Sequence, residues 1–258
     1  MTSPTEQTFS HHPAIPPPLA IPLTVLPEHP CSYFPERPAR SRAFRAKQLP
    51  PELYHGLMDA GFRRSGDIFY QPICSRCRDC QPIRVPVAGF VASKSQRRAL
   101  KRSHDLHLSV APPRASDESF ELYLRYLSQW HGRAKEEDSR EAFERFLYHS
   151  PVESLEFSYR DKVGKLLAVG ICDVSHNALS SVYYYFDPAE RSRSLGTFGA
   201  MVEIDYARKH AIPFYYLGYW IRDSETMRYK NRYMPNELLC SDGVWRAGAA
   251  EAGESYSR

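Results

Sequence analysis

The sequence predicts an α+β fold, in which helices come first and an antiparallel meander, a glycine-turn helix and a further strand follow. Three observations predict it. Phe120, Tyr123, Leu124 and Leu127 recur at i, i+3, i+4 and i+7, which marks a helix over about 117–131. LEFSYR, KLLAVGICDV and SSVYYYFD read as consecutive strands, joined by short turns at 161–164 and at His176-Asn177. Behind them RSLGTFGAMVEIDYARKH places Ala200, Ile204, Ala207 and Ala211 on one helical stripe, and the aromatic strand FYYLGYW comes next.

The elements before the meander follow the same logic. Residues 1–27 form a Pro-rich tail, expected to be flexible, extended or disordered, with eight prolines in the first 30 residues. PPELYHGLMDAG is a short helix: Pro51 suits its first turn, Leu53 and Leu57 share a face and Gly61 ends it. FRRSGDIFYQP is a hairpin turning at Ser65-Gly66-Asp67. IRVPV points Ile83, Val85 and Val87 inward, and Pro86 assigns it to a sheet edge. Ser116 or Asp117 can cap the 117–131 helix, and EAFERFLYH continues as a helix over about 141–149. Domain bounds of 28–110 for an N-terminal cysteine-bearing α/β segment and 111–240 for a C-terminal one follow, with a frayed tail over 241–258 anchored last by Trp245.

With 42% apolar and 25% charged residues, the 258-residue composition is that of a soluble globular protein. No run approaches the roughly 18 apolar residues of a membrane span. The first residues lack the basic and apolar regions of an export signal, so the six cysteines are expected to be thiols or metal ligands. The net charge of +4 is uneven: 31–105 carries 15 Lys/Arg against 6 Asp/Glu, while 106–258 carries 19 against 22. A basic segment beside a slightly acidic one points to a polyanionic partner. Within it Lys94, Arg97, Arg98, Lys101 and Arg102 fall at i, i+3, i+4, i+7 and i+8, one face of a helix about 12 Å long, suited to successive phosphates.

Cys74, Cys77 and Cys80 form C-x2-C-x2-C, and Cys31 is the fourth thiol available to a four-ligand site, zinc or an iron–sulfur cluster. Arg84 stands where a ferredoxin-type run would need another cysteine. Cys172 and Cys240 are isolated. Nine of the 17 tyrosines lie within 183–237, a density that suggests a wet pocket rather than an ordinary core. Ser194-Leu195-Gly196-Thr197 opens a helix whose free N–H groups can meet a phosphate or an oxyanion. Acetyl-CoA-dependent acyltransferases carry a related turn, but Phe198 replaces its last small residue, which argues against a bound pyrophosphate.

CSYFP, GFRRSGDIFYQPICSRCRDCQPIRVPV, KSQRR, YYYFDP, RSLGTF, YYLGYWI and MRYKNRYMP-E together resemble the aminoacyl-tRNA–protein transferases of the N-degron pathway over about residues 28–240. The likeness is strongest to the short bacterial leucyltransferase branch. The resemblance implies a cytoplasmic aminoacyltransferase that moves leucine from leucyl-tRNA to proteins beginning with Asp or Glu, marking them for proteolysis. It further implies a C-terminal domain like the GNAT-type acetyltransferases, with no nucleotide cofactor and no membrane partner. Eukaryotic relatives transfer arginine, so arginyl-tRNA is the alternative donor. A zinc-stabilised, non-catalytic RNA-binding protein and an acetyl-CoA acetyltransferase are the other readings.

On that resemblance, the ester is expected between the Gly196 turn and the Tyr216–Trp220 strand. Ser194, Gly196 and Thr197 would meet the tRNA 3′ end, and Tyr184 and Tyr219 would orient the ester. Asp187 or Glu237 would take the amine proton. Arg63, Arg64 and Ser65 would bind the acidic N-terminal residue; adjacent strand residues face opposite sides, so one of the two arginines is expected to point inward, and Arg64 is favoured. The five cations of the basic helix and Lys230 would meet tRNA phosphates.

Overall fold

A computed structural model of the chain describes residues 21–130 and 139–248; most of the Pro-rich tail and the last ten residues lie outside that range. The N-terminal part contains β1 (Thr24–Val25), β2 (His29–Pro30), β3 (Pro38–Ala39), β4 (Ser41–Arg45), α1 (Pro51–Asp59), β5 (Arg63–Ser65), β6 (Ile68–Pro72), β7 (Gln81–Pro86) and α2 (Lys94–Arg102). Then follow β8 (His107–Ala111), α3 (Asp117–Trp130), α4 (Arg140–Phe143), β9 (Ser154–Arg160), β10 (Leu166–Val174) and β11 (Ala178–Phe186). The last elements are α5 (Leu195–Lys209), β12 (Phe214–Trp220), β13 (Glu237–Leu239) and β14 (Trp245–Ala247).

Local chemistry accounts for most boundaries. Pro51 starts α1, and Gly61 beyond its end sits at φ +86°. The β5–β6 hairpin turns through Gly66 at φ +59°. A capping box of Ser93 and Gln96 closes the start of α2, and Ser116 accepts from the Ser119 N–H ahead of α3.

The large sheet has the order β14-β13-β7-β12-β11-β10-β9-β8, and a second sheet has the order β1-β4-β6-β5. The 28–110 segment supplies β7 and β8 to the large sheet, so one sheet runs through both sequence-assigned segments. Within it the one parallel pairing is β11 with β12, and α5 is the crossover between them. Tyr183 and Tyr185 on β11 pack against Tyr123 of α3, whereas Tyr184 between them points at Gly199 of α5, so the two helices cover opposite faces. Among the described residues no helix is long and apolar enough to cross a membrane.

Four local expectations are corrected. β7 is not an edge strand, since β12 and β13 flank it; Pro86 is tolerated because β13 reaches only Ile83 and Arg84. The helix expected at 141–149 is α4 followed by a wider π-type turn over Glu144–Tyr148. The α5 stripe ends at Ala207, because Ala211 adopts φ +55° past the helix end. Trp245 begins a strand instead of ending the ordered chain: β14 pairs with β13, and the indole N–H donates to the Asp59 carbonyl at 3.2 Å.

One buried ion pair ties the second sheet to the large one. Arg64 on β5 donates through Nε and Nη2 to the two carboxylate oxygens of Asp173 on β10, each at 2.7 Å, and both side chains are fully excluded from solvent. Tyr54 and Ser154 hydroxyls also donate to that carboxylate, at 2.8 and 2.7 Å, and Arg64 Nη1 donates to the Gly66 carbonyl at 2.9 Å. Asp173→Ala strands the guanidinium in the core and is expected to remove about 3–5 kcal/mol of unfolding free energy, read by urea denaturation.

Candidate active site

The site begins where two strands part. β11 and β12 are paired only from Ala178–Phe214 to Ser180–Tyr216. Beyond Ser180 the strands are unpaired, and a register shift between Tyr216 and Gly218 bends β12 away. Arg63 enters this gap from β5. Its Nη1 donates to Ser180 Oγ at 2.7 Å and its Nη2 to the Ser181 carbonyl. Gly218, at φ +87°, lies flat against the guanidinium; a Cβ there would stand 3.3 Å from Arg63 Cζ. Among the described residues no carboxylate lies within ion-pair distance of Arg63.

A cavity of about 380 Å3 opens in front of that guanidinium, walled by Tyr33, Tyr70, Tyr183, Tyr184, Tyr215, Tyr219 and Tyr229 together with Ser65, Glu203 and Lys230. Tyr219 donates to the Gly61 carbonyl at 2.9 Å. Burial, then the neighbouring Tyr70, raises its phenol pKa well above the ordinary value. Tyr184 Oη is buried and without a partner, and burial and then Glu203 raise that phenol likewise.

Two ionisable groups in the wall are moved toward neutrality. Lys230 is buried, its Nζ donating to the Tyr219 carbonyl at 3.0 Å. Burial first, and the Arg63 charge second, lower its pKa to about 7. Glu203, on the inner face of α5, accepts from the Tyr215 hydroxyl through Oε2, while Oε1 has no partner. Burial raises its pKa to about 7, opposed by the Tyr215 hydrogen bond and by the neighbouring Cys172 thiol.

A second cavity, of about 470 Å3, adjoins the first at Tyr126, Tyr184, Gly196 and Tyr229, and is walled further by Trp130, Phe186, Leu195 and Thr197. It covers the start of α5. Ser194 stands at φ +58° with its side chain making no cap, so it leaves the first-turn N–H groups uncapped. The α2 face abuts this end: Arg102 donates to the Ser192 carbonyl at 3.1 Å, and Arg193 to the Arg102 carbonyl at 2.9 Å. Lys94, Arg97, Arg98, Lys101 and Arg102 are all exposed, and none pairs with a carboxylate among the described residues.

The structure thus gathers Arg63, Ser65, Tyr184, Tyr219, Gly196 and Lys230 around one cavity. Arg64 borders it too, but its side chain and several other sequence-assigned groups are engaged differently from what the sequence suggests. The side chain of Arg64 is committed to Asp173, so strand alternation delivers its neighbour to the cavity instead. Lys230 is buried in the wall rather than set out with the α2 cations. Asp187 caps the turn at 188–193 and pairs with Lys165 at 2.8 Å. Burial opposes its ionisation, but hydrogen bonds from Lys165 and the Ala189 N–H hold its carboxyl below the usual range. Glu237 pairs with Arg84 at 2.7 Å, in a cluster with Asp59 and Tyr216 away from the cavity. Glu203 escaped the sequence reading although a signal was present: a carboxylate three residues after Ala200 and four before Ala207 lies on the apolar stripe.

Cys31, Cys74, Cys77 and Cys80 line one small cavity of about 20 Å3 that backs onto the site through Tyr33. Burial, with the other three thiols adding to it, pushes Cys80 up to about 12. Among the described residues no three His, Cys, Asp or Glu side chains take up a metal-ligating arrangement, and the chemistry below uses none of these thiols. Cys172 is fully buried beside Glu203, and Cys240 lines a separate surface cleft.

Comparison with known proteins is unambiguous at the level of sequence. Residues 29–98 match the family model for the arginine-tRNA-protein transferase N terminus, and 118–240 the model for its C terminus. Aspartate/glutamate leucyltransferase of Thiobacillus denitrificans is 40% identical, covering 92% of this chain and 98% of that one. The same enzyme of Alcanivorax borkumensis is 42% identical, over 85% and 91%. Solved structures align more loosely: FemX, at 11% identity and a TM-score of 0.44, covers 72% of this chain and 64% of its own.

Lys230 carries the pH dependence of this site into stability. Its folded-state pKa lies below its unfolded value, so its burial penalty is full below about pH 7 and fades as pH rises toward about 10.4. In urea titrations across that window, the wild type is expected to gain a few kcal/mol relative to Lys230→Met.

Proposed function

This chain belongs to the arginine-tRNA-protein transferase family, and we propose that it transfers leucine from leucyl-tRNA to the α-amine of proteins beginning with Asp or Glu. By the logic of the family, that addition marks the acceptor for proteolysis. One observation carries the reading of the site: Arg63, a guanidinium without an acidic partner among the described residues, stands at the head of a tyrosine-walled cavity.

Ser180 and Ser181 use one N–H from each Nη of Arg63 and fix the plane of the fork. Three further N–H groups remain, enough for a bidentate grip on the side-chain carboxylate of an N-terminal Asp or Glu. Burial lowers Lys230 to about 7, so at neutral pH it is only partly charged and is a weaker cation than Arg63. The cavity volume, about 380 Å3, falls within the range of small-ligand pockets and suits one terminal residue.

The adjoining cavity receives the aminoacyl ester. Tyr126, Trp130, Phe186 and Leu195 offer apolar surface to a leucyl side chain, and the uncapped N–H groups at the start of α5 face the oxyanion that develops at its carbonyl. The two spaces meet at Tyr184 and Gly196, so an amine held in one can reach an ester held in the other. Such placement supplies much of the acceleration that an ester aminolysis needs, on the order of 7 kcal/mol or more in good geometry. The exposed α2 cations, of which Arg102 is hydrogen-bonded to the turn just before α5, would carry the phosphates of the same tRNA.

The test is transfer of labelled leucine or arginine from charged tRNA to peptides beginning with Asp, Glu, Lys or Ala. Leucine on Asp and Glu peptides is the expected product, and arginine transfer alone would favour the eukaryotic-type donor. Arg63→Met is expected to lower kcat/KM for Asp peptides by roughly 10- to 150-fold, from the ~1.5–3 kcal/mol of a charged hydrogen bond, and to leave Ala peptides unaffected. Replacing Arg97, Arg98 and Lys101 together by Gln should weaken tRNA binding and flatten its log–log salt slope by about 2–3, measured by filter binding.

A further inference from the structure

We propose that Glu203 is the proton acceptor for the incoming α-amine, resting on the transferase reading above. Buried polar atoms without a partner are rare in folded proteins, and each calls for a reason. Among the described residues four side-chain atoms are in this state, and three of them, Tyr159 Oη, Tyr184 Oη and Glu203 Oε1, belong to one cluster beneath the cavity. Glu203 and Tyr184 also line the cavity itself.

The surrounding backbone makes room for these two groups. A Cβ on Gly170 of β10 would come within 2.4 Å of Glu203 Oε1 and 3.0 Å of the Tyr184 ring. A Cβ on Gly199 of α5 would stand 2.0 Å from that ring and 2.6 Å from its hydroxyl oxygen. Glycine at both positions lets a carboxylate and a phenol lie side by side with their polar atoms unused. The donors for those atoms are therefore to come from a ligand, and an α-ammonium group, with three N–H bonds and one positive charge, fits the need.

The groups facing Glu203 are Cys172 on β10, Tyr159 on β9, Tyr184 on β11, Tyr215 on β12, and Tyr229 and Tyr233 from the segment that follows β12. No cation is among them, so nothing nearby holds the carboxylate ionised. Its pKa near 7 lies close to that of an α-amine, the match a general base needs at neutral pH.

The step balances as follows. Glu203 takes one proton from the ammonium, and the freed nitrogen lone pair attacks the ester carbonyl carbon of leucyl-tRNA. A C–N bond forms and the C–O bond to the terminal ribose breaks. The second nitrogen proton passes to the leaving ribose oxygen, giving the amide and a free hydroxyl, and Glu203 returns its proton to water.

Single-turnover transfer from preloaded leucyl-tRNA to an Asp peptide tests this across pH 5.5–9. In the wild type the rate should rise through an inflection near 7, because the carboxyl is protonated and useless below it. Glu203→Gln should lower the maximal rate about 100-fold or more, leave only the later rise set by the peptide's own α-amine at about 7.7–8, and keep the peptide KM within a few-fold. A rate within threefold of wild type, or a variant profile that keeps the inflection near 7, would overturn the proposal. Should Glu203→Gln fail a thermal-melt check, Tyr215→Phe decides: losing the hydrogen bond to Oε2 should move the inflection upward, and an unmoved inflection would refute it. A wild type that never transfers leucine would count against the transferase reading, whereas active wild type with an equally active Glu203→Gln counts against this proposal alone.

Discussion

The geometry of the site depends on the Arg64–Asp173 pair. It joins β5 of one sheet to β10 of the other through two 2.7 Å charge-assisted bonds, with Tyr54 and Ser154 filling the remaining acceptor sites of the carboxylate. Such a pair adds little net stability over well-packed apolar residues, but it tolerates only one register, since any slip leaves a bare charge in the core. Side chains on a strand alternate in direction. Fixing Arg64 inward on Asp173 therefore fixes Arg63 toward β11, where Ser180 and Ser181 receive it.

The gap that Arg63 enters exists because a parallel pairing fails early. Three residue pairs hold β11 to β12 and the strands then part, so backbone groups that would have bonded across the sheet face a cavity instead. Unused backbone groups at a sheet opening are costly without partners. The Ser181 carbonyl is satisfied by Arg63, and the open side carries tyrosines whose hydroxyls can bond to protein or ligand. Low dielectric does the rest: it moves Lys230 and Glu203 toward their neutral forms and leaves the Arg63 guanidinium as the dominant charge.

What could be read from the sequence divides along the range of the interactions. The α2 face was legible because its five cations are set by one helical period, and the β5–β6 hairpin because Ser65-Gly66-Asp67 is a local turn signal. The cavity's tyrosines were legible as a density. The choice between Arg63 and Arg64 was not, because it is made by Asp173, 109 positions away. Glu237 and Asp187 looked available because Arg84 and Lys165, which hold them, are distant in sequence or across a turn. β13 and β14 are three residues each and carry no period long enough to detect. Lys230 sits among Arg228 and Arg232 and reads as one of a basic run; only the chain's path over Tyr219 buries it.

On the proposed reading two sets of cations would serve two anions, and their separation would itself be selective. The α2 stripe is exposed and extended, matched to a polyanion whose charges are spaced along a backbone. Arg63 is single, half-buried and reached only through a tyrosine-walled cavity. A phosphate on a nucleic-acid strand carries its neighbours with it and cannot follow a guanidinium into a gap between two β-strands. A chain terminus can, because only one end of it needs to enter. On the proposed reading, shape thus keeps the stronger polyelectrolyte attraction out of the weaker single site, and a tRNA lying along α2 would leave Arg63 open for a carboxylate. The two cavities share Tyr184 and Gly196 in their lining, so an acid-headed terminus in one and an ester in the other would meet there.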